Sequence, residues 1–157
     1  MTQPPEHRLH SLGLKLPLIV MPAGNLLGFK IDRGQVFVSG QLPLEDGVRK
    51  YSGKVGESIS RDTAYEAAKL AALKAISQLS EASGGDLSKI AEITKLLDFV
   101  SCAVDFTDIA FFINGASDLV EVFGDLGRHG RLAIGVASHP RGIPVEVELI
   151  ARLRDEG

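Results

Sequence analysis

Cysteine is nearly absent from this chain. Cys102 is the single one in 157 residues, so no intrachain disulfide can form. It sits in the apolar run Leu96 to Val104 and reads as a small buried hydrophobe rather than a nucleophile. No Cys/His cluster has the spacing of a zinc site, and His7 and His10 lie in a polar N-terminal stretch as surface residues. A basic run is also missing. Seventeen Lys and Arg stand against 20 Asp and Glu, a net charge of −3, which argues against electrostatically driven nucleic-acid binding and leaves only a local patch open. Long hydrophobic runs are lacking as well. Leu12 to Met21 is broken by Lys15 and Pro17, well short of the roughly 20 residues a membrane span needs. The opening MTQPPEHRLH has neither the basic region nor the apolar core of a signal peptide, so the expectation is a soluble, cytoplasmic protein. A chain of this length forms one domain and can bury about two thirds of its unfolded surface without staples.

What is present is a sequence of clear elements. Pro4 to Leu14 reads as a short helix limited by Gly13 and Pro17. Pro22-Ala23-Gly24-Asn25 is a turn. Leu27–Asp32 and Gln35–Gly40 form a hairpin across Arg33-Gly34; Gly40 at its end lets the backbone approach another chain or a ligand closely. Pro43 to Gly47 and Tyr51-Ser52-Gly53 are loop signals. Ser60 to Ser83 is the strongest element. Ala64, Ala67, Ala68, Ala71, Ala72, Ala75, Ile76 and Leu79 keep helical period without a miss, Ser60 can cap the start, and Gly84-Gly85 ends it. Ala91 to Ile93 is a lead-in to an interior strand over Lys95 to Val104. Helical period returns over Asp108 to Leu126, with Phe112, Ala116, Leu119, Val120 and Phe123 on one face. Gly115 costs about 1 kcal/mol against alanine, which places the helix start near Ala116.

The stretch Gly130 to Leu149, GRLAIGVASHPRGIPVEVEL, organises the rest. Two strand patterns flank a Pro/Gly turn over His139 to Pro144. Leu132, Ile134 and Val136 alternate with Arg131, Ala133 and Gly135; Val145, Val147 and Leu149 alternate with Glu146 and Glu148. If the two strands are antiparallel neighbours, Arg131 and Glu146 share a face. They then form either a small-anion site beside a glycine or an ordinary solvated pair. The order ββ(β)–α–β–α–ββ predicts an α+β sandwich with a mostly antiparallel sheet and two main helices on one face. The opposite sheet face, carrying Arg131 and Glu146 among Ala133 and Gly135, is too apolar to stay bare and invites a second copy of the chain.

Phe37-Val38-Ser39-Gly40-Gln41-Leu42-Pro43, Asn114-Gly115-Ala116-Ser117-Asp118-Leu119, and Gly130-Arg131 followed nine residues on by Pro140 and then Val145-Glu146-Val147-Glu148 resemble the RidA family, also called the YjgF/YER057c/UK114 family. The similarity runs from about Asn25 to Arg152 and is closest to a longer, chorismate-mutase-like or endoribonuclease L-PSP-like branch. Residues 1–20 would be its N-terminal extension, and 21–157 the family domain. The resemblance implies a chorismate-mutase-like α+β fold and a homotrimer whose sheets form a central barrel, with sites in the clefts between subunits. It implies a cofactor-independent, metal-free hydrolysis of 2-enamine/2-imine acids to 2-oxo acids and ammonia. Arg131 matches the arginine that grips the substrate carboxylate, a role suited to a guanidinium fork. Glu146 matches the acidic residue beside the attacking water. Ser39 and Gly40 match pocket-lining residues, and Asn114 matches a pocket asparagine after a one-residue shift.

The sequence departs from RidA proper at two places. Leu26-Leu27-Gly28-Phe29 stands where an aromatic residue occurs in a Gly-Pro-Tyr context, and Leu132 and Ala133 stand where a hydroxyl residue and often a cysteine follow the arginine. The pocket is thereby more apolar. Four functions follow from the resemblance: an imine/enamine deaminase; a non-catalytic binding or regulatory module for a small carboxylate metabolite, which Leu27, Leu132 and Ala133 favour; an endoribonuclease or translation inhibitor, which the acidic charge balance disfavours; and a purely structural trimer. Fold similarity alone licenses none of them.

Overall fold

The computed structural model describes residues 3–20 and 24–155. The turn expected at Pro22–Asn25 and the tail expected at Asp155–Gly157 lie partly outside these residues. Helix α1 spans Pro5–Ser11. Strands β1 (Phe29–Asp32) and β2 (Gln35–Gln41) form the expected hairpin. The stretch expected as loop holds a small ladder of β3 (Leu44–Glu45) and β4 (Val48–Arg49). Helix α2 (Arg61–Ala82) is followed by β5 (Ile90–Ser101), α3 (Ile109–Val120), β6 (Gly130–Val136) and β7 (Val145–Leu153). The main sheet runs β1-β2-β7-β5-β6 and is antiparallel except for the parallel pair β5/β6.

The alanine stripe of α2 is wholly buried, which lets the helix lie close on the sheet. Ser60 caps it by accepting the Thr63 N–H at 3.2 Å. Val36, Val38, Val145, Val147, Leu149 and Ala151 meet it from the sheet, and Leu96 and Val100 of β5 belong to the same core. Short α1 is tied to this body. Leu9 is buried, the Glu6 carboxylate accepts the Leu87 N–H at 2.6 Å, and Arg8 donates to the Glu121 carbonyl at 3.1 Å. Among the described residues no helix is long and apolar enough to cross a membrane. His7 and His10 are exposed, as expected, and Cys102 is half-buried against the core with a free thiol.

Three expectations are corrected. The interior strand starts earlier than Lys95, at Ile90, and stops at Ser101 with Val104 fully exposed. Helix α3 starts at Ile109, not near Ala116, and Gly115 lies inside it. A Cβ at Gly115 would run into the Tyr65 carbonyl and crowd the Lys69 N–H, so the glycine is what lets α3 approach α2. The propensity cost of about 1 kcal/mol is outweighed by that packing.

The third correction concerns β6 and β7, which are not neighbours. Helix α3 carries the chain from β5 to β6 as a crossover, and such a connection delivers a parallel strand. Strand β7 then enters on the other side of β5. Arg131 stands in register with Leu96 and Leu149, and Glu146 with Phe99 and Ile134. Leu96 and Leu149 face the helices, so Arg131, Ala133 and Gly135 do too. A Cβ on Gly135 would touch Ile109 of α3 and crowd the Cys102 sulfur. Leu132 and Ile134 point the other way, each 39% exposed, with Phe37 at 40% in the same layer. The solvent-facing side of β6 is therefore its aliphatic one, and Arg131 and Glu146 lie on opposite faces of the sheet.

Candidate functional site

Arg131 projects from the edge strand β6 onto the flank of α3. Its Nη1 donates to Asn114 Oδ1 at 2.8 Å and to Ser117 Oγ at 3.2 Å. Asn114 and Ser117 stand three residues apart, hence on one face of the helix. Among the described residues only Nη1 has hydrogen-bond partners, and the residue is exposed. The remaining N–H groups of an exposed guanidinium are available to a carboxylate, which a guanidinium can hold bidentately.

Ser117 is held from a second side. Its hydroxyl lies 3.1 Å from His129 Nε2, and His129 Nδ1 lies 2.7 Å from the Gly127 carbonyl. A carbonyl only accepts, so Nδ1 carries a proton. Ser117 and His129 line an open cleft of about 630 Å³, together with Arg8, Arg128, Asp118, Glu121 and Asp125. Asp118 accepts a 2.7 Å hydrogen bond from the Tyr65 hydroxyl, which pushes that phenol up to about 12.

Asp98 lies beneath this arrangement. It faces the helices in register with Ala133 and Val147, is completely buried, and has no hydrogen-bond partner among the described residues. Burial pushes its carboxyl up to about 7, with the Arg131 charge pulling the other way.

The remaining predicted residues gather on the opposite sheet face. Glu146 Oε2 is 3.3 Å from Nδ1 of the buried His139, whose Nε2 donates to the Phe99 carbonyl at 2.9 Å. Gly40 lies at a register shift in β2, and a Cβ there would collide with the Glu146 carboxylate. The close approach expected of Gly40 is thus to Glu146. The Ser39 hydroxyl donates to the Leu27 carbonyl at 2.6 Å, so it holds the 27–28 segment against β2. Exposed Leu26 and Leu27 line a shallow depression there with Phe37, Ser39 and Glu148.

One chain therefore brings Arg131 together with Asn114, and Glu146 together with Gly40, with Ser39 turned to Leu27, but keeps the two groups apart. Sequence reading missed Ser117, His129, His139 and Asp98 as site residues. Ser117 lay within a quoted motif, and Asp98 had a signal, a lone carboxylate at an inward position of an apolar strand. His129 and His139 had none, because loops join them to their partners. Among the described residues no group of three or more His, Cys, Asp or Glu side chains could hold a metal ion.

The sequence family described as "YjgF/chorismate_mutase-like, putative endoribonuclease" matches residues 6–153. Protein TCP17 of Trypanosoma cruzi is 40% identical over 149 residues, covering 94% of this chain and 92% of that one. The crystal structure of Atu1372 from Agrobacterium tumefaciens, a protein of unknown function, superimposes with a TM-score of 0.89 at 38% identity, over 97% of this chain and 93% of that one. A Shewanella oneidensis protein described as "a putative endoribonuclease" superimposes with a TM-score of 0.92 at 34% identity, over 96% of this chain and all of that one. The chain belongs to the YjgF/RidA family of chorismate-mutase-like fold.

Proposed function

We propose that the protein is a cofactor-independent hydrolase of small 2-imino acids, acting in clefts between subunits of a homotrimer. The observation that carries this reading is the exposed Arg131 guanidinium, oriented by Asn114 and Ser117 through one nitrogen. A carboxylate docked on that guanidinium places the adjacent imine carbon beside α3. Glu146 orients the attacking water, and since it lies on the other sheet face, a neighbouring copy of the chain must supply it. The bare sheet face supports that assembly: Leu132 and Ile134 stand exposed on β6 and Phe37 on β2 in the same layer, large side chains that a second sheet would cover.

The alternative is a binding module that holds a carboxylate metabolite without turnover. Ala133 and the outward-pointing Leu132 favour it, because neither provides a polar group next to Arg131. The test is release of ammonia and 2-oxo acid from freshly generated imino acids. Acceleration over buffer that Arg131→Ala abolishes supports the hydrolase. No acceleration, with carboxylate binding that Arg131→Ala abolishes, supports the binding module.

A further inference from the structure

Ser117 has two side-chain partners of different kind. Arg131 Nη1 donates to its oxygen, while His129 Nε2 faces its hydroxyl at 3.1 Å. The imidazole cannot turn freely, because Nδ1–H is committed to the Gly127 carbonyl at 2.7 Å. Only Nε2 is left to exchange a proton, and its partner is Ser117. Gly127 is packed against α3, since a Cβ there would strike the Val120 carbonyl. The result is a one-way chain, Gly127 carbonyl to His129 to Ser117, ending beside the guanidinium and lining an open cleft.

Resting on the hydrolase reading, we infer that Ser117 is the proton donor to the substrate nitrogen and that His129 is the proton source behind it. Imines become electrophilic when the nitrogen is protonated, so an acid on the nitrogen side complements a carboxylate on the water side. With its carboxylate on Arg131, a 2-imino acid has its nitrogen two bonds from the docked group, and Ser117 sits against the same guanidinium. Imidazolium Nε2–H passes a proton to Ser117, which passes its own to the imine nitrogen. Water attacks the carbon, the C=N pair moves to nitrogen, and Glu146 takes the water proton. In collapse, Glu146 returns that proton to nitrogen, the C–N bond breaks, and the hydroxyl proton returns through Ser117 to His129. The products are a 2-oxo acid and ammonia, with both side chains restored.

The charged groups around His129 do not displace this chemistry. Arg8 from α1 and Arg128 beside His129 line the cleft with Asp118, Glu121 and Asp125 from α3 and the turn after it, and Arg131 reaches Ser117 from β6, so positive and negative groups both surround the imidazole.

The test compares steady-state turnover of 2-imino acids by wild type, His129→Gln, Ser117→Ala and Ser117→Thr. Wild-type kcat should show an alkaline limb. His129→Gln should lower kcat by about 100-fold, leave KM within about threefold, and abolish that alkaline limb. Ser117→Thr, which keeps the hydroxyl, should retain most activity, whereas Ser117→Ala should not. His129→Gly should regain turnover with added imidazole. Binding of a 2-oxo acid, unchanged in His129→Gln, verifies that the Arg131 site is folded. Turnover by His129→Gln with wild-type kcat and pH profile overturns the proton route and leaves the hydrolase reading standing. So does loss of 2-oxo acid binding alongside activity, which would make both residues props for Arg131. No turnover by wild type overturns both.

Discussion

Replacing Asp98 with valine removes a carboxyl that the fold buries without a partner. In the unfolded chain this group titrates near 3.8; in the folded chain burial raises it to about 7. Between those values the folded state binds the proton and the unfolded state does not, so the contribution to stability falls as pH rises and levels off above about 7. The full span, 3.2 units from the two values, corresponds to about 4 kcal/mol. Between about pH 5 and pH 8 the share lost is about 3 kcal/mol. Asp98→Val keeps the branched shape suited to an inward strand position beside Ala133 and Val147 and has nothing to ionise. Urea unfolding of both proteins, at matched concentration and across that pH range, isolates the effect, because every other titrating group is common to both. The stability difference should widen by about 3 kcal/mol in favour of the variant as pH rises. Parallel curves would refute a buried neutral Asp98. A difference that narrows with pH would mean an ionised Asp98 paired with Arg131 in the folded protein.

Other substitutions probe the packing and the assembly. Gly115→Ala should destabilise by several kcal/mol in thermal or urea unfolding, despite alanine's better helix propensity of about 1 kcal/mol, because the new methyl meets the Tyr65 carbonyl. Gly40→Ala should leave the fold intact and impair function, since its methyl pushes the flexible Glu146 carboxylate aside; unchanged turnover and ligand affinity would count against a role for Glu146. Ser60→Ala should cost about 1 kcal/mol through the lost cap on α2, read as a shift in the denaturation midpoint. Co-refolding inactive Arg131→Ala with inactive Glu146→Gln should restore part of the turnover, because a mixed assembly contains clefts with both native residues. Mixtures as inactive as their parents would place both residues of a site on one chain.

Much of this architecture is written in local pattern. The alanine stripe of α2, its Ser60 cap and its Gly84-Gly85 end are short-range signals, and they appear where the sequence places them. The hairpin over Arg33-Gly34 is equally local, with both residues at positive φ. Gly115 was misread because its penalty is local and its benefit is not; only the approach of α2 explains it. The same is true of Ser117 and His129, which become a pair only when α3 and the turn after it fold back against β6.

The decisive case is the stretch from Gly130 to Leu149. Its sequence alone determined two strands, their alternation, and which residues of each share a face, because strand period is a property of the backbone. It also carried the family motifs that place Arg131 and Glu146. Which face turns inward, and which strand lies beside which, was decided only in the tertiary structure. The crossover through α3 sets β6 parallel at the sheet edge, β5 comes between it and β7, and α3 covers the side of β6 bearing Arg131. An alternating pattern is unchanged when its faces are exchanged, so the inward face is chosen by the neighbour that covers it.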